Sequence, residues 1–221
     1  MKILILVLSM NDNDIYTEFY KTQKDTWDSI EIDGITTYYY FGNNSDDIIS
    51  ENNILTSVKE NILNCGYKTL KAFELIKDME FDYIFRTNSS SYVDKLLLQN
   101  YLKDKPKINY YSGCIGVYDN ITFASGSGYV LSKNLINLIL TNSEKWNHNF
   151  IDDVSLGLLL KDFNINPETS FRYDVSSKDN IDEIPNNYFH YRLKNENNRN
   201  YDINLLKYIY KNKYKNKYEK N

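Results

Sequence analysis

The sequence has few of the residues that staple or ligate. Its 221 residues include two cysteines, Cys65 and Cys114, and neither lies in a CxxC pair. That excludes a disulfide framework and points to a reduced, cytosol-like compartment. The only histidines are His148 and His190, and no ligand pair has zinc spacing. Prolines number 3 against 21 tyrosines and abundant asparagine, a bias that carries no functional argument. No segment is long and apolar enough to cross a membrane. A global basic field is also missing: the formal charge is −4, so nothing here recruits nucleic acid. There is no P-loop, no G-x-S-x-G elbow and no three-glycine dinucleotide fingerprint, which leaves ATPase, hydrolase and dehydrogenase readings without support.

What is present is the composition of a soluble globular chain, 42% hydrophobic and 25% charged. The opening "MKILILVLSM" reads as a buried first strand rather than a signal peptide, because the aliphatic run is short and "NDND" follows it. Beyond strand 2–8 comes a helix at 15–27, then strand 35–42. A helical pattern spans 57–79, followed by strand 82–86 and a short helix at 94–102. This alternation predicts an α/β fold: a Rossmann-like, mixed but mostly parallel sheet flanked by helices. After residue 106 the texture is more mixed, with strand-like 108–118 and 121–132, helical 133–142 and 152–163, and short strands at 170–175 and 187–193. The final "LLKYIYKNKYKNKYEKN" is basic and aromatic. It reads either as a solvated, partly frayed helix or as a patch touching an anionic membrane surface.

Ligands of parallel sheets bind at the carboxyl ends of the strands. Here those ends are "SMNDND", carrying Ser9 and Asn11, and "FRTNSSSYVD", carrying Arg86, Asn88 and Ser90. In "IDDVSLG", Asp152 and Asp153 open an apolar helix. Either they cap it and complement its dipole, or one caps and the other serves as a general base. In "FASGSGYVLS", Ser125, Gly126 and Gly128 mark either a strand corner or a close backbone approach to a ligand. In "FHYRLK", His190, Arg192 and Lys194 share a strand face, which is either plainly solvated or a set of phosphate donors.

Taken in order, these pieces resemble the β-1,3-galactosyltransferase and Fringe-like glycosyltransferases. "KTQKDTW" is similar to the family's R-x-x-I-R-x-T-W element, with lysine at 21 and 24. "NILNCGYKTLKAF" is similar to its N-L-T-x-K-T helix, which places Lys68. "FASGSGYVLSKNL" resembles Y-C-S-G-x-G-Y-V-L-S, "FIDDVSLGLLLKDF" resembles the E/D-D-V-x-x-G helix, and "FHYRL" resembles a late H-x-R. The resemblance runs from about residue 3 to about residue 193. It implies a GT-A fold and sugar transfer from a UDP-sugar, with inversion, to a glycan or glycolipid. Asp153 would be the catalytic base beside Asp152. Ser9, Asn11, Lys24, Lys68, Arg86, Asn88, Ser90, His190 and Arg192 would surround the donor. Ser125, Gly126 and Gly128 would lie near the donor sugar and acceptor. Residues 1–105 would then be the nucleotide-sugar half of one domain, 106–200 its acceptor half, and 201–221 a tail.

One element departs from the family pattern. Its acidic metal-binding triplet falls on Asn88, Ser89 and Ser90. Two routes could balance the leaving diphosphate. Protein cations such as Arg86, Lys24 and Arg192 could do so, with no metal required. Alternatively Mn2+ or Mg2+ could arrive through the donor diphosphate and be held by His190. The first route is the one expected. The competing function is a non-catalytic nucleotide-sugar or glycan-binding relative that has lost its metal site. A cytoplasmic location, with peripheral membrane contact through the tail, completes the expectations.

Overall fold

A computed structural model describes residues 1–11, 13–176, 179, 181–195 and 198–215, with backbone alone at 214 and 215. The first half runs β1 (Ile3–Leu8), α1 (Asp14–Asp25), β2 (Ile35–Phe41), β3 (Ile48–Ser50), β4 (Asn53–Leu55), α2 (Cys65–Ile76), β5 (Tyr83–Asn88), β6 (Ser91–Val93) and α3 (Lys95–Leu102). The second runs β7 (Tyr111–Tyr118), β8 (Ile121–Ser132), α4 (Lys133–Thr141), α5 (Asp152–Lys161), β9 (Glu168–Thr169), β10 (Tyr173–Val175), β11 (His190–Leu193) and α6 (Arg199–Tyr210).

The main sheet has eight strands in the order β3-β4-β2-β1-β5-β8-β7-β9. β4, β2, β1 and β5 are parallel, and β8 then runs antiparallel to both β5 and β7. The central strand explains the two-layer core. Ile3, Ile5 and Val7 of β1 join a cluster with Phe19, Trp27, Leu98 and Leu206, while Leu4 and Leu6 join one with Phe73, Ile76, Ile136 and Leu156. Strand alternation sends consecutive side chains to opposite faces. A central strand covered on both sides therefore has to be apolar at every position.

Local signals set the helix starts. The Asn13 side chain accepts from the Ile15 N–H at 3.0 Å, Asp94 from Leu97 at 3.0 Å, and Asn198 from Tyr201 at 3.1 Å. A second sheet, β10-β11-β6, packs beside the end of β5. It forms because the chain turns at Ser89 and Ser90 and pairs β6 with β11, His190 opposite Val93 and Arg192 opposite Ser91.

Two expectations change. The helix expected from residue 57 begins at Cys65. Residues 57–61 are pulled back as a loop, because Glu60 accepts from the Gly42 N–H at 2.7 Å and pairs with Lys68, and a single 3-10 turn, Ile62–Asn64, leads into the helix. The frayed-tail reading does not hold for 201–210. Ile203, Leu205, Leu206 and Ile209 of α6 are buried in the core cluster that holds Phe19 of α1. Lys207 lies 3.7 Å from Glu18, and Lys213 sits 4.0 Å over the Tyr191 ring. Residues 216–221 of the basic segment lie outside the described residues. No helix among the described residues is long and apolar enough to cross a membrane.

Candidate active site

A crevice of about 310 Å³ opens at the carboxyl ends of β1 and β5. Its floor is Leu8, Ser9 and Asn88–Ser90; Cys65 and Lys68 line one wall, and Arg192 and Lys194 the other. The turn at 88–90 is tightly specified. Asn88 Oδ1 accepts from the Ser90 N–H at 3.0 Å, and the Ser89 hydroxyl donates to the Leu8 carbonyl at 3.3 Å. Buried Gln23 of α1 donates its amide to the carbonyls of Asn88, Ser89 and Ser91 at 3.3, 3.2 and 2.8 Å. The Ser90 hydroxyl accepts from Arg199 Nη2 at 2.7 Å.

Behind this floor lies a buried charge network. Arg86 projects from β5 and is 1% exposed. Its Nε donates to the Tyr40 hydroxyl at 2.9 Å, one guanidinium nitrogen to the Gly126 carbonyl, and the other to Asp152 Oδ2. Thr69 adds a hydroxyl to Asp152 at 3.2 Å. Burial, the largest influence, opposes charge on Arg86, but the Asp152 carboxylate together with Tyr40 and Tyr129 more than offsets it and keeps the guanidinium protonated. Asp152 is thus a counter-ion.

Asp153 differs. Its Oδ2 accepts from the Gly126 N–H at 2.6 Å and its Oδ1 from the Val154 N–H at 2.9 Å. Burial first, and the neighbouring Asp152 charge second, push its carboxyl above the ordinary aspartate range. The backbone donors and Arg86 pull the other way. Neither aspartate is the helix cap: Ile151 holds that position, without a side-chain bond. The close packing explains Gly126. A Cβ there would lie 3.0 Å from Asp153 Oδ2 and 3.1 Å from Arg86 Nη1. At Gly128 a Cβ would collide with the buried His190 ring.

The structure brings most of the expected residues to one end of the sheet, in unequal roles. Ser9 offers its carbonyl to Lys68 Nζ at 2.8 Å. Lys68 is itself locked onto Glu60, and burial draws its pKa below the ordinary lysine range despite that partner. Ser125 accepts from Arg172 Nη1 at 2.9 Å, and Ser127 accepts from the same nitrogen. His190 lies 3.0 Å from the Ser91 hydroxyl through Nε2, is 2% exposed, and burial lowers its pKa to about 3. Arg192 lines the crevice and stands 3.8 Å from Asp174. Asn11 is exposed on the loop after β1 and does not line the crevice.

Lys24 is not brought there. It pairs with Asp28 at 3.2 Å and stands 4.9 Å over the Tyr39 ring, beside a cavity at the opposite end of β2. The helix carrying it starts at the crevice and runs back along the sheet, so its last turn is remote. Four residues were not anticipated: Gln23, Glu60, Arg172 and Arg199. Arg172 left a legible trace, since it alternates with Asp174 in "RYD"; the other three left none.

Comparison with known proteins bears on the fold and on one segment of the chain. A family model described as galactosyltransferase matches residues 117–170, the stretch holding Ser125, Gly126, Gly128, Asp152 and Asp153. No curated protein matches the sequence. Similar solved structures include a glycosyltransferase involved in glycosylation of the major capsid of PBCV-1. It is 11% identical, with 94% of this chain and 99% of that one covered and a TM-score of 0.57. The galactosyltransferase LgtC, solved with donor and acceptor sugar analogs, is 11% identical over 94% of this chain and 95% of that one, at TM-score 0.50. The apo form of the glycosyltransferase GlyE from Streptococcus pneumoniae TIGR4 is 8% identical at TM-score 0.55; 93% of this chain and 60% of that one are covered. The fold is that of the GT-A glycosyltransferases, and the segment carrying the paired aspartates matches the galactosyltransferase family.

Proposed function

We propose that the protein is a glycosyltransferase moving a sugar from a nucleotide-sugar donor, a UDP-sugar, to a hydroxyl of a glycan or glycolipid with inversion. The observation that carries this is the division of labour between Asp152 and Asp153. Asp152 neutralises Arg86 in the floor. Asp153 has both oxygens oriented by backbone N–H groups. Each carboxylate oxygen still has a second lone pair for a substrate proton.

In the reaction, the acceptor oxygen attacks the anomeric carbon while its proton passes to Asp153. The bond from that carbon to the phosphate oxygen breaks, and its electron pair leaves with the diphosphate. A raised carboxyl pKa improves such a base. Transfer should therefore fall as pH drops through a value above the ordinary aspartate range.

The test is turnover of a panel of nucleotide sugars with product stereochemistry read by NMR. Inverted product from a UDP-sugar supports the reading. Retained configuration removes Asp153 as base, and binding without turnover favours the non-catalytic alternative.

A further inference from the structure

We infer that the donor diphosphate is gripped by a protein guanidinium, that of Arg199, at the place where a divalent cation would otherwise be needed. This rests on the nucleotide-sugar reading above and deepens it. Hard divalent cations are held by carboxylate oxygens far better than by neutral side-chain oxygens, and the residues at the crevice do not fit one. Among the described residues no group of three or more His, Cys, Asp or Glu side chains is placed to hold a metal. The acid lining the crevice, Glu60, is occupied by Lys68 and the Gly42 N–H. Asn88, Ser89 and His190 are turned to Ser90 N–H, the Leu8 carbonyl and Ser91 respectively.

A cation stands directly behind Ser90, which lines the crevice. Arg199, the first residue of α6, donates Nη2 to the Ser90 hydroxyl at 2.7 Å. Its Nη1 donates to the Leu193 carbonyl at 3.1 Å and to Asp202, and its guanidinium lies 4.6 Å over the Phe19 ring. Held from three sides, the group has little freedom left to lose when a ligand arrives, which is what makes a preorganised charge effective. A guanidinium nitrogen carries two N–H groups, so Nη2 can keep the serine and also donate to a phosphate oxygen. Arg192 and Lys194 line the same crevice as Ser90, so the wall facing a diphosphate is cationic. A serine suits this arrangement where an acid would not: Asp202 already balances Arg199, so a carboxylate at 90 would turn the spot net negative and repel a phosphate.

The test titrates UDP and uridine by calorimetry, in chelator and in Mn2+, into the wild type and into Arg199→Ala, Arg199→Lys and Ser90→Asp. The wild type should bind UDP in chelator, with little change on adding Mn2+. Arg199→Ala should weaken UDP by at least about tenfold and leave uridine unchanged, a phosphate-specific signature that loss of packing would not produce. Arg199→Lys should recover part of that loss. Ser90→Asp, which keeps Arg199 and its contacts to α6, should weaken UDP as well. Wild-type binding that requires Mn2+, or Arg199 variants that bind UDP as tightly as the wild type, overturns the inference and leaves the donor reading standing. No UDP binding under any condition overturns both.

Discussion

Two buried ion pairs sit at opposite ends of the central sheet, and they are wired differently. At the amino end, Lys95 Nζ donates to Asp28 Oδ1 at 2.8 Å and to the carbonyls of Asp28 and Ile30 at 2.9 and 3.0 Å. Those three bonds use every proton of the ammonium, and Asp28 pairs as well with Lys24 at 3.2 Å. Burial pushes the Asp28 carboxyl up, but Lys95, with Thr37 and Lys24, more than offsets it and leaves it below the ordinary range. At the carboxyl end, Arg86 binds Asp152 and also the Gly126 carbonyl, and the N–H of that same glycine orients Asp153. One pair leads to a second lysine, Lys24. The other passes its geometry through a peptide unit to a second buried carboxylate, Asp153. The lesson is that burial and pairing alone do not mark a functional charge; what matters is where the remaining hydrogen bonds lead.

The comparison can be broken most directly at Asp153. Asp153→Asn should cut transfer by about 10²- to 10⁴-fold with an unfolding midpoint near wild type. Wild-type turnover in that variant would end the distinction. The converse change is Lys95→Met, which leaves Asp28 only the half-buried Lys24 as a counter-ion. Urea unfolding should show a loss of up to about 3 kcal/mol, while activity per folded molecule stays the same. A smaller change probes the connection itself. In Gly126→Ala the new methyl meets Asp153 Oδ2 at 3.0 Å and must move it by a few tenths of an ångström. Transfer should drop about tenfold, with donor affinity nearly intact.

The mildest test is pH. His190 is buried neutral, with its pKa at about 3 against 6.5 in the unfolded chain. As pH falls below the unfolded value, only the unfolded state takes up the proton. This contribution to stability is complete above that value and is lost by up to about 1.4 kcal/mol per pH unit as pH falls toward the folded pKa. His190→Gln should flatten that slope in acid unfolding curves.

What could be read from the sequence was local. β8 occupies Ile121–Ser132 as expected, because a β-branched, glycine-punctuated run is framed by a turn at Asp119 and Asn120, both at positive φ. The placing of Asp152 and Asp153 at the start of α5 and of Gly126 in β8 was legible for the same reason, but their partners were not, since Asp152 meets Arg86 and Asp153 meets Gly126 only in the folded chain. β3 and β4, three residues each, are too short to show a period. The Ser90–Arg199 bond and the three carbonyls held by Gln23 could not be read, because they join segments that only the folded topology brings together. Lys24 was misplaced because a motif fixes a residue's position in a helix but not the direction in which that helix travels.

The helix that brings Arg199 to Ser90 follows every strand of both sheets in the chain. A nascent chain can pair β1, β2 and β5 as each emerges, since all three lie in the first part of the message. On the proposed reading, the hold on the diphosphate would come only once α6 has docked. A chain cleaved before α6 would then keep the sheet and Asp153 but lack that grip.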